Sequence, residues 1–99
     1  MPLVKIYGVD TNFDAIEKTL TRILVSEFGV KKSLCKFFFI KEYSNRKNPY
    51  IEIEMMGNKK RVKKIESCAK KILNFFNTRG GGAEISIKLY SSKNTYYFC

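Results

Sequence analysis

Twice in its 99 residues the chain writes the same opening, Pro2-Leu3-Val4-Lys5-Ile6 and then Pro49-Tyr50-Ile51-Glu52-Ile53. Each is a proline, any residue, an aliphatic, a charge and an isoleucine. Each runs on through a glycine (Gly8, Gly57) into an amphipathic helical stretch and a further strand-like run. A side-chain period of two puts Val4 and Ile6, and later Ile51, Ile53 and Met55, on one face of a strand, with charged or polar residues on the other. Proline is tolerated at a strand's first residue, where its missing N–H costs little. The repeat predicts the order β-α-β-β-α-β in two similar halves. A strand–helix–strand crossover is almost always right-handed, so each half pairs its strands in parallel. The fold class that follows is α+β, a four-stranded mixed sheet with both helices on one face. Residues 1–99 are read as a single domain, as the length suggests.

The elements can be placed more closely. Thr11 or Asn12 can cap the first helix, and Asp14 and Glu17 put negative charge in its first turns. Phe13, Ile16, Leu20, Ile23, Leu24 and Phe28 recur at helical spacing, and Gly29 stands where the helix should stop. In Cys35 to Tyr43, the unbroken apolar run Phe37 to Ile40 predicts a central strand covered on both faces. Polar turns are expected at 44–49 and at Arg79 to Gly82. The second helix, about Lys59 to Asn77, carries the stripe Val62, Ile65, Ala69, Ile72, Leu73 and Phe76. Ala83 to Tyr90 is the last strand, followed by a polar, then aromatic tail. Both helical stripes should pack on Val4, Ile6, Ile51, Ile53, Ile85 and Ile87. The other sheet face then carries Lys5, Tyr7, Glu52, Glu54, Lys88 and Tyr90.

No apolar run approaches the ~20 residues of a membrane span, and Lys5 and Asp10 interrupt any leader-like stretch. Three widely spaced cysteines (Cys35, Cys68, Cys99) and no histidine argue against a structural metal site and fit reduced thiols in a cytoplasm. No cofactor motif is present. Nineteen Lys+Arg against nine Asp+Glu give a formal charge of +10. That excess attracts anions without naming one.

The strand order, the repeat, Met1-Pro2 directly before the first strand, the segment PYIEIEMMG (Pro49 to Gly57) and the tail NTYYF (Asn94 to Phe98) together resemble the tautomerase, or macrophage migration inhibitory factor-like, superfamily, and within it a bacterial branch of unknown function. The resemblance implies a homotrimer with pockets between subunits. It implies removal of Met1, which leaves Pro2 as an N-terminal secondary amine able to act as the general base of a keto-enol tautomerase or isomerase of small enolisable acids. A cation beside that pocket is implied too. Lys32 or Lys31 fills the position, binding the carboxylate of a small anionic substrate, and Tyr96 and Tyr97 would line the pocket from a neighbouring subunit.

Two rivals share the topology. One is a trimer that binds or regulates without the amine chemistry. The other is a basic ferredoxin-like nucleic-acid-binding domain. The third strand, YIEIEMM, lacks the aromatic platform such a domain needs and sets two glutamates where a phosphate backbone would pass, which argues against a nucleic-acid partner.

Overall fold

A computed structural model describes residues 2–41, 48–78, 82–90 and 94–98. The strands are β1 (Leu3–Tyr7), β2 (Lys36–Ile40), β3 (Tyr50–Met55), β4 (Glu84–Leu89) and β5 (Asn94–Phe98). The helices are α1 (Phe13–Phe28) and α2 (Lys59–Thr78), and a 3₁₀ turn covers Lys32–Leu34. The turns expected at 44–49 and 79–82 fall largely outside the described residues.

The sheet runs β2-β1-β3-β4-β5. β1 pairs in parallel with β2, and β3 with β4. The two halves meet at an antiparallel β1–β3 seam, with Val4 opposite Ile53 and Ile6 opposite Ile51. The four-stranded mixed sheet with two helices on one face is therefore present. The tail adds a fifth strand, antiparallel to β4.

Alternation does the sorting. Val4, Ile6, Ile51, Ile53, Met55, Ile85, Ile87 and Leu89 are buried beneath Ile16, Leu20, Leu24 and Phe28 of α1 and Ile65, Cys68, Ala69, Ile72 and Phe76 of α2. α1 starts at Asn12 in left-handed conformation (φ 63°) with no side-chain cap bond, so the expected Asn12 or Thr11 side-chain cap is not used. Asn is among the few non-glycine residues that adopt this backbone readily. Gly29 ends the helix at φ 67°, its N–H donating to Val25 O at 3.0 Å, a left-handed close that suits glycine. α2 is capped by Asn58, whose Oδ1 accepts from the Arg61 N–H at 2.9 Å.

Two expectations fail. Phe13 and Val62 sit in the first turns of their helices and are 42% and 38% exposed. Phe13 still leans on Phe39, ring centroids 4.6 Å apart. β2 is an edge strand rather than a central one. Its Phe37 and Phe39 pack against the core, but Phe38 points to the open face and is 53% exposed.

Candidate functional site

Pro2 is buried at the foot of β1. The Lys36 N–H donates to its carbonyl at 3.0 Å, which ties it to the first residue of β2. The parallel pairing of Leu3 with Lys36 holds the segment between α1 and β2 against this end of the sheet. That segment is the turn carrying Lys31 and Lys32. The Leu34 N–H donates to Lys31 O at 3.0 Å and the Cys35 N–H to Lys32 O at 3.2 Å. The Cys35 thiol also reaches Lys31 O, at 3.7 Å.

Lys32 and Cys35 form one wall of a groove of roughly 780 Å³, with Glu17, Lys18, Thr21 and Arg22 on the α1 side. Neither Lys31 nor Pro2 lines it. Both lysines are exposed. The groove thus offers cations from two elements together with the carboxylates of Asp14 and Glu17. Burial pushes the Cys35 thiol above its ordinary range, so it lines the groove as a neutral, weakly polar group. Among the described residues no group of three or more Cys, Asp and Glu is placed to hold a metal ion.

The open face of the sheet is polar and aromatic. Tyr7 and Tyr50 pair across the seam with ring centroids 5.7 Å apart. Lys88 Nζ lies 5.4 Å over the Tyr90 ring. A hydrogen bond with the Glu54 carboxylate raises the Tyr90 phenol above its usual value. Tyr96 and Tyr97 lie in β5, opposite Ile87 and Ser86; their side chains fall outside the described residues.

The sequence pattern alone did not bring Cys35 or Thr21 to the Lys32 groove. A signal existed for the first: a 3₁₀ turn stacks residues three apart, so Lys32 and Cys35 share a side. Three residues are too few to register as a period.

No family model and no curated protein matches the sequence. Solved structures do match the fold. A macrophage migration inhibitory factor-like protein from Entamoeba histolytica aligns over 89% of this chain and 85% of its own, with TM-score 0.67 at 14% identity. The fold is macrophage migration inhibitory factor-like. A malonate semialdehyde decarboxylase, solved with 3-bromopropiolate as inhibitor, shares this fold over 90% of the chain and 82% of its own, with TM-score 0.66 at 8% identity. A domain of unknown function from Sebaldella termitidis shares it over 97% and 100%, with TM-score 0.64 at 12% identity. Among the described residues no helix is long and apolar enough to cross a membrane.

Proposed function

We propose that the chain is a tautomerase or isomerase of small enolisable acids, with the secondary amine of Pro2 as its base once Met1 is removed, and that it works as a homotrimer. The carrying observation is the buried position of Pro2 beside the Lys31–Cys35 turn, in a fold it shares with a malonate semialdehyde decarboxylase. Burial and nearby cations both disfavour the charged form of an amine, which suits a general base. A neutral amine takes the enol proton and returns one to carbon, so the reaction needs no co-reactant. Lys32 supplies the cation that holds the substrate carboxylate and offsets the enolate charge. Lys31 is the alternative for that task, and Tyr96 and Tyr97 are assigned to the pocket wall. The trimer is supported by β2, an edge strand that leaves Phe38 and Leu34 open, the latter 44% exposed. One domain in a reducing cytoplasm completes the reading, in keeping with the free thiols of Cys35 and Cys68.

The test is ketonisation of an aryl enolpyruvate, followed by loss of the enol absorbance. The processed protein should turn it over. A form retaining Met1 should not, because its Pro2 nitrogen is an amide. General acid–base contributions are about 10²–10⁴-fold, so Pro2→Ala should fall clearly without loss of fold, and Lys32→Ala should chiefly raise KM. Equal turnover by processed and Met1-retaining forms would leave a trimeric binding protein as the better reading.

A further inference from the structure

The positive charge is not spread evenly. α2 carries Lys59, Lys60, Arg61, Lys63, Lys64, Lys70 and Lys71 against Glu66 alone. Successive residues of a helix turn by about 100°. The six lysines then fall within an arc of about 140°, centred opposite the buried stripe Ile65, Cys68, Ala69, Ile72 and Phe76. All six are exposed. Two are matched, Lys70 by Glu66 at 3.1 Å and Lys71 by Glu27 at 3.4 Å. The ammonium groups of Lys59, Lys60 and Lys63 have no hydrogen-bond or ion-pair partner among the described residues, and Lys64 has only a longer-range attraction to Glu27. Arg61 is occupied elsewhere, its guanidinium donating to Met56 O.

This arrangement works against the helix that carries it. Cations crowd the amino-terminal end of α2, and its first turn holds no acid. The macrodipole favours anions there by about 0.3–1 kcal/mol each, and lysines four residues apart repel. Local conflicts of this kind concentrate where a surface serves a function. From Lys59 to Lys71 the ridge is about 18 Å long, and its four unmatched lysines lie along the first ~8 Å, a length of duplex axis that carries about four phosphates at about 1.7 Å each with both strands counted.

We propose that this ridge binds the phosphate backbone of a double-stranded nucleic acid without reading its sequence. Lysine is a point charge suited to phosphate rather than to bidentate base recognition. The ridge has no aromatic residue, as stacking on single strands would need. Its exposed apolar neighbour Val62 falls about 60° outside the lysine arc, so no apolar residue stands among the lysines to enter a bilayer. The surface is distinct from the Lys32 groove and independent of any chemistry there.

The experiment is fluorescence anisotropy with a mixed-sequence DNA duplex of about 20 base pairs, longer than the ridge. Binding should fall with salt at a slope of about −3.6 in log K against log concentration, at about −0.9 for each of four contacts. The variant K59Q/K60Q/K63Q/K64Q should bind at least tenfold more weakly with a nearly flat salt dependence. The matched Lys→Arg variant should bind as wild type does, and a shared circular dichroism spectrum should show that all three are folded. Lys36→Gln with Lys88→Gln, on the opposite sheet face, should change binding less than threefold. Absence of duplex binding by wild type, or a salt slope that survives in the quadruple Gln variant, overturns the proposal. So does binding only to vesicles of phosphatidylcholine with about a third phosphatidylserine, which would make the partner an anionic membrane surface.

Discussion

Glu27, near the carboxyl end of α1, fastens the two helices to each other. Its side chain is only 7% exposed, yet it remains a carboxylate. It accepts the Ser67 hydroxyl of α2 and sits 3.4 Å from Lys71 Nζ. Together with the smaller attraction of Lys64, these hold its carboxyl below the ordinary 4.5, against the opposing effect of burial. A hydrogen bond to a charged group contributes about 1.5–3 kcal/mol. The Lys71 pair, with its lysine half exposed, adds less than about 1 kcal/mol. Desolvating the carboxylate offsets part of both. Glu27→Ala should therefore cost about 2 kcal/mol, which lowers the melting midpoint of a chain this size by about 8–16 °C. Ser67→Ala should cost about 1–2 kcal/mol, and the double variant should show a coupling of about 1 kcal/mol. Urea denaturation of the four proteins of this cycle measures each quantity. Because the folded carboxyl titrates below the unfolded one, its stabilisation is complete above the unfolded value and fades as pH falls through the folded one. The stability gap between wild type and Glu27→Gln should thus be constant near neutrality and close below pH 4.5. A coupling under about 0.3 kcal/mol, within the error of additive sites, or a gap that widens on acidification, would refute the clamp.

Leu20→Ala and Ile65→Ala, at fully buried positions, should each cost about 2–5 kcal/mol in chemical denaturation, whereas Val62→Ala at its exposed first turn should cost under about 1 kcal/mol. Phe38→Asp should break the trimer proposed above, giving a monomer mass by light scattering where the parent gives a trimer mass, while circular dichroism stays unchanged. The Cys68 thiol, buried and pushed up to about 12, should resist alkylation at pH 8 until the protein unfolds; labelling of Cys68 in the native state would contradict its place in the core.

Period-two and period-3.6 patterns determined most of this fold because burial acts face by face. Val4, Ile6, Ile51 and Ile53 alternate because one side of their strands meets helices. The same patterns overreach at ends: Phe13 and Val62 keep the helical phase but stand in first turns that the core leaves partly open. They misplace β2 for a different reason. An apolar run such as Phe37 to Ile40 carries no mark of its place in the sheet, and here β2 lies at the edge with Phe38 open. The candidate site was legible only in part. Pro2 and Lys32 were approached through resemblance. Their relation to Cys35, Thr21 and Arg22 depends on a three-residue turn and on the distance between α1 and the end of β1, neither of which leaves a periodic trace. Tyr96 and Tyr97 were read as an aromatic tail, and a strand paired with β4 requires a register that composition does not specify.

The edge at β2 also carries a gatekeeper. Lys36 opens the Phe37–Ile40 run and Lys41 follows it, both exposed. Two copies meeting β2 to β2 in antiparallel fashion would set the Lys36 end of each beside the Lys41 end of the other, and a parallel meeting would stack like on like; in either case like charges gather at the ends of the new ladder, which is unfavourable. The strand is thereby guarded against its own image, the pairing that nucleates open-ended fibrillar stacking. A contact between β2 and some different segment of a second copy escapes that repulsion. Such head-to-tail contacts close into rings when their rotation allows and do not produce two-fold dimers. Two lysines at the ends of one short strand thus bias the symmetry open to the assembly, quite apart from how tightly it holds.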